Sequence, residues 1–329
     1  MNVAIIGAGV AGLTCACELV DRGASITIYE KSRALGESAC SWYAGGMLAP
    51  WCERENAEQA VEDFGQLALP WWRAHINCVV NLGSLVLSMK RDVSEIRRFA
   101  RMTQNHRLLD GEQISELEPD LSRRFGQGLF YPGEAHLDPR RALAQLANYL
   151  ADRGVDIQFG NSVFPRDCDA DRVVDCRGYA ARDKLSQLRG VKGEMLILKS
   201  GELTLSRPVR LLHPRYPIYI VPRAENLFML GATMIENDDR TRISVLSMLE
   251  LLSAAYALHP AFGEAEIVET GVDVRPAFDD NMPCLQRDQN ILYVNGLFRH
   301  GFLLAPAMAV QVANAIIDEQ VFSELNKCA

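Results

Sequence analysis

The chain has 329 residues, of which 48% are hydrophobic and 23% are charged, and its formal net charge is −8. This composition is typical of a globular protein with a large core, and the length favours two domains. An acidic chain does not attract a phosphate backbone or an anionic membrane surface, so we expect neither nucleic acid nor a membrane as a partner.

The apolar start of the chain predicts part of a fold and not a leader. Residues 3–20 are mostly apolar, but no basic segment precedes them and Gly7, Gly9 and Gly12 interrupt them. No segment reaches the roughly 20 apolar residues that a membrane-spanning helix needs. The nine cysteines include no CxxC pair, and no histidine spacing completes a zinc site. We therefore expect a cytoplasmic protein without a bound metal.

A dinucleotide-binding fingerprint opens the chain. Residues 3–6 (VAII) predict a buried strand, residues 7–12 read GxGxxG, and the apolar residues that follow predict a helix ended by Gly23. Residues 26–29 predict a second strand with Glu30 at its carboxyl end. Glu30 would accept hydrogen bonds from ribose hydroxyls, which argues against a 2′-phosphate and leaves NAD and FAD open.

Each glycine of the fingerprint has a separate task. Gly7 permits the tight turn, Gly9 lets a pyrophosphate approach the backbone, and Gly12 lets the helix pack close to the strand. The helix start at Val10 and Ala11 offers N–H groups and partial positive charge to phosphates. The chain contains one such fingerprint, which argues against an enzyme that passes electrons from NADPH to a flavin.

The rest of the chain alternates between regions of parallel and antiparallel character. Helices are predicted at 57–80, where Pro70 should kink or divide the helix, at 139–153 after a capping Asp138, at 241–258 and at 303–317. Strands are predicted at 84–89, 128–131, 155–159, 172–176, 194–198, 217–221, 227–230 and 291–296.

This order predicts an α/β fold with a discontinuous, doubly wound nucleotide domain and an inserted antiparallel-sheet substrate domain. The nucleotide domain would comprise residues 1–80, 136–190 and 271–329. The substrate domain would comprise residues 81–135 and 191–270.

Four segments carry a family resemblance. They are the fingerprint with Glu30, residues 41–50 (SWYAGGMLAP), residues 219–223 (YIVPR) with 231–234 (GATM), and residues 271–276 (GVDVRP) with 295–306 (NGLFRHGFLLAP). In this order and spacing they resemble the D-amino-acid oxidase superfamily, and within it the bacterial glycine oxidases of thiamin biosynthesis. The resemblance covers essentially the whole chain and implies an FAD-binding Rossmann-like domain.

The resemblance also implies a substrate site. Arg275 would bind the carboxylate of an amino acid through its guanidinium fork, and Tyr219 would donate a second hydrogen bond. Arg299 would lie beside flavin and substrate, and Met47 and Met234 would line a narrow pocket. Taken alone, Arg275 could equally be a surface arginine, Tyr219 a core residue and the two methionines core filler.

The implied cofactor is FAD, bound non-covalently, because Cys284 does not match the cysteine that attaches flavin in related sarcosine oxidases. The residues implied at the cofactor are Gly7, Gly9, Val10, Ala11, Gly12, Glu30, Lys31, Ala44, Gly45, Gly46, Met47, Val163, Gly178, Arg299, His300, Gly301, Phe302, Leu303 and Leu304.

The resemblance implies hydride transfer from the α-carbon of glycine, sarcosine or D-alanine to the flavin. The imine would hydrolyse to a 2-oxo acid and ammonia, and dioxygen would reoxidise the flavin to give hydrogen peroxide. The implied setting is thiamin thiazole synthesis, with thiazole synthase as a partner and a homo-oligomeric assembly. Pro217 stands where some members have a histidine near the amine, which leaves the substrate preference open.

Three alternatives remain at this stage. A quinone-linked D-amino-acid or sarcosine dehydrogenase would need a membrane-docking face, and no basic amphipathic helix is evident. A non-catalytic dinucleotide-binding module would contain no flavin that an amine can bleach. A tRNA-modifying flavoenzyme of the same superfamily would need a basic face, which the net charge disfavours.

Overall fold

The structure is a computed structural model that describes residues 1–213 and 217–318. Its strands are β1 (Asn2–Ile6), β2 (Ser25–Glu30), β3 (Met47–Leu48), β4 (Val79–Val80), β5 (Ser84–Ser88), β6 (Arg107–Asp110), β7 (Gln127–Tyr131), β8 (Ala135–Leu137), β9 (Asp156–Phe159), β10 (Arg172–Asp175), β11 (Arg189–Lys199), β12 (Val209–Leu212), β13 (Ile218–Pro222), β14 (Leu227–Gly231), β15 (Glu266–Ala277), β16 (Cys284–Asp288) and β17 (Ile291–Asn295). Its α-helices are α1 (Val10–Asp21), α2 (Pro50–Glu53), α3 (Gln59–Gly65), α4 (Ala68–His75), α5 (Val93–Met102), α6 (Gly111–Leu117), α7 (Pro139–Ala151), α8 (Val245–Leu258) and α9 (Gly301–Ile317).

The first sheet has the predicted nucleotide-binding character. Its order is β16-β17-β10-β1-β2-β9, and every pairing is parallel except that of the edge strand β16 with β17. The central strands are buried on both faces, which explains why they read as continuous apolar runs. Helices α1, α7 and α9 share one core with this sheet.

The second sheet is built from both inserts. Its order is β15-β11-β14-β13-β12-β5-β7-β6, and the inserts meet where β12 pairs in parallel with β5. The other pairings are antiparallel. The structure therefore confirms the predicted fold class, while the exact division into domains stays a prediction.

The two faces of the second sheet have different neighbours because side chains alternate along a strand. Leu196 and Leu198 of β11 pack with α8 in one core. Met195, on the opposite face, packs with Tyr219 and Met47 in a separate cluster. This second face is turned toward the first sheet and forms part of the site described below.

Several predicted boundaries differ from those observed. The segment 57–80 is divided as expected, but the break lies between α3 and α4, and Pro70 sits in the first turn of α4, where no helical partner requires its missing N–H. Helix α8 begins at Val245 and not at 241, because the Ser244 hydroxyl caps it by accepting from the N–H of Ser247 at 3.0 Å. Helices α2, α5 and α6 and the strands β3, β4, β6, β8, β12, β15 and β16 were not predicted.

Helix α9 is the most deeply buried helix of the nucleotide-binding layer. Nearly all of its residues from Phe302 to Ile316 are buried, and the Pro306 inside it is also buried. Within the two described ranges, no helix combines the length and the apolar character required to cross a bilayer.

Candidate active site

A cavity of about 500 Å³ is lined by residues of both sheets. One end lies at the carboxyl ends of β1, β2 and β17, where ligands bind in open α/β sheets. The other end is walled by β13 and β15, which carry Tyr219 and Arg275. The cavity therefore connects the dinucleotide fingerprint with the proposed substrate residues.

The carboxylate of Glu30 is fixed at the nucleotide end. It is buried, and its two oxygens accept hydrogen bonds from the backbone N–H groups of Ala8 at 2.8 Å and Ser32 at 2.9 Å. These bonds hold the carboxylate beside the fingerprint loop, and Lys31 lies next to it on the cavity wall. The position suits a carboxylate that accepts from ribose hydroxyls.

The three fingerprint glycines meet different surroundings. A Cβ on Gly7, whose φ is +102°, would lie 2.6 Å from the carbonyl oxygen of Cys176, and one on Gly12 would lie 1.8 Å from the carbonyl oxygen of Gly7. Gly9 lines the cavity, and a Cβ there would meet nothing closer than 3.6 Å. Gly7 and Gly12 are thus required for packing, whereas Gly9 keeps space open for a ligand.

The turn before α9 forms another wall of the cavity. Arg299, His300 and residues 301–303 line it, and the first helical hydrogen bond runs from the Leu304 N–H to the His300 carbonyl at 2.8 Å. The positive end of this 17-residue helix is thereby directed at the cavity.

Arg223 holds the small-residue loop in place. Its guanidinium donates to the carbonyl oxygen of Gly45 at 2.7 Å and to that of Leu137 at 3.1 Å. Burial lowers the pKa of Arg223 to about 10, so it stays charged at neutral pH. The loop lies so close to Tyr219 that a Cβ on Gly45 would be 2.8 Å from the ring.

Arg275 reaches across β11 to the cavity wall. Its guanidinium occupies the space that a side chain on Gly193 would fill, since a Cβ there would lie 2.3 Å from Nη2. Nη1 donates to the carbonyl oxygen of Thr233 at 3.0 Å. Among the described residues, no carboxylate lies within 4.0 Å of this guanidinium, although burial lowers its pKa. It is a partly buried cation facing the cavity.

Tyr219 stands beside this cation. Burial raises the pKa of its phenol, while the charge of Arg275 acts in the opposite direction. The hydroxyl therefore remains protonated at neutral pH and can donate a hydrogen bond. Met47 and Met234 also line the cavity, and the Met234 side chain is 55% exposed.

Glu53 joins two further arginines at the wall of the cavity. One carboxylate oxygen accepts from Nη2 of Arg299 at 2.5 Å, and the other accepts from Nη2 of Arg210. Burial alone would raise the pKa of Glu53, but the two guanidiniums outweigh burial and hold the pKa well below its usual range. Glu53 is therefore ionised and a weak proton acceptor.

His300 is a neutral neighbour of this carboxylate. Its Nδ1 lies 3.5 Å from the nearer oxygen of Glu53, and the side chain is buried. Burial lowers the pKa of His300 to about 4, despite the opposing charge of Glu53. The ring is uncharged at neutral pH.

The structure brings nearly all of the predicted site residues to one cavity. Gly12 and Leu304 are the exceptions, because Gly12 packs against the Gly7 backbone and Leu304 lies in the core. Sequence reasoning missed Glu53, Arg210 and Gly193. Arg210 gave a weak signal, as a charged residue within an apolar strand, whereas the short helix that carries Glu53 gave none.

The wall fits a flavin dinucleotide. The helix start at α1, the fixed Glu30 carboxylate and the open face of Gly9 suit its nucleotide, and the positive end of α9 suits the electron-accepting ring. A family model described as FAD dependent oxidoreductase matches residues 2–315. The chain therefore belongs to this family, the D-amino-acid oxidase superfamily, and it is an FAD-dependent enzyme.

Individual members of this family are similar to the chain over most of its length. A Rhizobium etli protein named as a thiamine biosynthesis oxidoreductase, ThiO, is 54% identical over 97% of this chain and 98% of its own length. The chain is also 27% identical to a Synechocystis protein named as bifunctional ThiO/ThiG, and the match covers 97% of this chain but 52% of that protein. A solved glycine oxidase from Bacillus cereus superposes with a TM-score of 0.83 at 24% identity, covering 98% and 99% of the two chains.

Proposed function

We propose that this enzyme oxidises the amine of a small amino acid, with glycine, sarcosine and D-alanine as substrates. Oxidation would give an imine, which water hydrolyses to a 2-oxo acid and ammonia, or to a 2-oxo acid and methylamine when the substrate is sarcosine. The observation that carries the proposal is the partly buried Arg275 guanidinium, which faces the cavity without a carboxylate partner among the described residues. A substrate carboxylate would supply that partner.

The fingerprint loop, Glu30 and the turn before α9 would hold FAD, which would supply the acceptor for a hydride from the α-carbon, and with dioxygen as the final electron acceptor the by-product would be hydrogen peroxide. The protein would orient the substrate. Arg275 and Tyr219 would hold the carboxylate, while the Gly45 loop, fixed by Arg223, keeps the Tyr219 ring in place. Two fixed donors restrict rotation of so small a molecule and set the direction of its α-hydrogen.

No side chain needs to remove a proton from carbon in this proposal. Glu53, a carboxylate on the wall, is paired with two guanidiniums and is a weak base. The positive charges of Arg275 and Arg299 would lower the pKa of the substrate amine and so favour its neutral form. The lone pair of the neutral amine can form the C=N bond as the hydride leaves, and the resulting iminium ion loses a proton to water to give the imine.

The assignment to thiamin thiazole synthesis rests on the relatives. The name ThiO of the Rhizobium relative and the fusion of ThiO with ThiG in Synechocystis support thiazole synthase as a partner. Non-covalent FAD and a homo-oligomeric assembly remain parts of the same proposal. A quinone-linked dehydrogenase stays the alternative, since the same wall could serve either electron acceptor.

Anaerobic mixing tests the reaction. The purified yellow protein is mixed separately with glycine, sarcosine, D-alanine and D-proline while flavin absorbance is recorded. We expect at least one small amine to bleach the flavin and admission of air to restore the colour with release of peroxide. Bleaching without recovery in air would support the dehydrogenase, and no bleaching by any amine would refute amine oxidation.

A further inference from the structure

The substrate end of the cavity carries more positive charge than one amino-acid carboxylate can balance. Three guanidiniums line this end, and in the described part of the chain Arg210 and Arg299 share one carboxylate, Glu53, while Arg275 has no ion-pair partner. His300 adds no charge because burial lowers its pKa to about 4. Three positive charges minus one negative charge leave two, and a substrate carboxylate at Arg275 would leave one.

The remaining charged groups on the wall form ion pairs separate from Arg210, Arg275 and Arg299. Arg98 binds two carboxylates, Glu55 and Glu95, so that group keeps one negative charge, while Arg177 is paired with Asp175 and Arg240 with Asp273 at 3.3 Å. Glu30 is engaged by two backbone N–H groups at the nucleotide end. The surplus positive charge of Arg210, Arg275 and Arg299 therefore lies at the substrate end of the cavity.

Arg299 retains capacity to bind an anion. Its Nη2 donates to Glu53, and its Nη1 has only a thioether contact, with Sδ of Met234 at 3.8 Å, among the described residues. A guanidinium has five N–H donors, and a thioether sulfur is a weak acceptor. The Met234 side chain is more than half exposed, so a ligand oxygen can displace it at little cost.

We propose that Arg299, together with Arg210, forms a second, anion-binding subsite, which binds the extra carboxylate of an amino dicarboxylic acid. This inference rests on the proposed function and names its favoured substrate class. The α-carboxylate binds at Arg275 and Tyr219, and the second carboxylate binds at Arg299. Arg210 acts through Glu53, since by sharing that carboxylate it leaves Arg299 incompletely neutralised.

Matched substrate pairs test the subsite. Iminodiacetate is sarcosine with a carboxylate added to its N-methyl group, and D-aspartate is D-alanine with a carboxylate added to its side chain. The guanidinium of Arg299 attracts the added carboxylate by charge as well as by hydrogen bonding. After the cost of desolvating the added carboxylate, we expect kcat/KM for flavin reduction to favour the diacid in at least one pair by roughly 10-fold or more.

Two variants should move this preference in opposite directions. Arg210→Met leaves Glu53 to neutralise Arg299, so the diacid preference should fall by about 10-fold. Glu53→Gln leaves both guanidiniums unpaired, so the preference should rise. Arg207→Met is the control, because Arg207 is also buried and bound to one carboxylate, Glu118 at 2.7 Å, but does not line the cavity. It should leave the preference unchanged even if stability falls.

Specific outcomes overturn the subsite. A diacid preference at or below one in both pairs would refute it. If Arg210→Met lowered kcat/KM equally for the diacid and the monoacid, the surplus positive charge would instead serve to stabilise the reduced flavin. If no amine bleaches the flavin, the proposed function fails separately, and titration of the oxidised flavin spectrum still decides the subsite. Tighter binding of iminodiacetate than of sarcosine would then support it, and equal or weaker binding would refute it.

Discussion

The two ends of the cavity are built from different parts of the polypeptide. At the nucleotide end the cavity is shaped chiefly by backbone: the fingerprint glycines, the N–H groups that hold Glu30, and the starts of α1 and α9. At the substrate end it is shaped by side chains, chiefly Arg275, Tyr219 and the arginines around Glu53. The nucleotide end therefore depends on the course of the backbone, whereas the substrate end depends on the identity of a few side chains.

This difference has a physical consequence. A backbone site is lost when the chain shifts, because its groups have no independent freedom, and such a loss removes the cofactor altogether. A side-chain site can lose one group while the cofactor stays bound, and its energy is carried by charge–charge and hydrogen-bond contacts. Substitutions at the two ends should therefore fail in different ways, which three predictions make measurable.

The largest effect is expected at Gly12. A methyl group in Gly12→Ala would have to move the Gly7 carbonyl, from which it would lie 1.8 Å, and so distort the fingerprint loop. We expect loss of bound FAD and a destabilisation of about 3 kcal/mol, typical of overpacking. Flavin absorbance per polypeptide and thermal unfolding measure both. Gly126→Ala is the control, since a Cβ there meets nothing within 4 Å. If Gly12→Ala retained its full flavin content, FAD binding would not depend on the backbone geometry of the fingerprint loop.

A smaller and different effect is expected at Arg275. Under the proposed function, Arg275→Ala removes the charged fork for the substrate carboxylate, and charge-assisted hydrogen bonds contribute about 1.5–3 kcal/mol each. We expect kcat/KM for the best amine to fall by about 100-fold or more, mainly through KM, with FAD content unchanged. Steady-state kinetics and flavin absorbance give the two readouts, and Arg275→Lys should recover part of the loss. Equal loss of FAD and of substrate affinity would assign Arg275 to the fold.

The smallest effect concerns His300, where the two ends meet. Its folded pKa is about 4 because of burial, against about 6.5 in an unfolded chain, so the folded state binds fewer protons. The stabilisation is complete above pH ~6.5 and is lost as the pH falls, by about 2 kcal/mol between pH 6.5 and pH 5. Urea unfolding of the FAD-bound protein at several pH values should show this slope.

Two variants test which histidine causes the dependence of stability on pH. His300→Gln should flatten the slope by the amount that His300 contributes. His136→Gln should do the same at a second site, because burial lowers the pKa of His136 to about 4 as well. A slope that His300→Gln leaves unchanged would mean that other groups cause the acid sensitivity.

The same division explains what the sequence could predict. The nucleotide end depends on neighbours in the chain, so the spacing of Gly7, Gly9 and Gly12 before a helix, with Glu30 after a second strand, was enough to place it. The Asp138 cap of α7 was predictable for the same reason, and it accepts from the N–H of Arg140 at 2.9 Å.

The substrate end could not be derived in this way. Arg275 and Tyr219 lie 56 positions apart in the sequence, and their meeting depends on β13 and β15 belonging to one sheet with β14 and β11 between them. Family resemblance supplied these two residues, whereas local pattern left them ambiguous. Glu53 and Arg210 were missed because their partnership joins α2, in the first part of the chain, to β12, in the second insert, and exists only in the folded protein.

Gly193 leaves the space that the Arg275 side chain occupies. The guanidinium of Arg275 lies where a larger residue at position 193 of β11 would put its first carbon. The observed direction of the Arg275 side chain therefore depends on a glycine on the adjacent strand. Among homologous chains, an arginine aligned with position 275 opposite a bulkier residue at 193 would have to direct its charge elsewhere, and that pair of positions is a compact marker for a changed ligand.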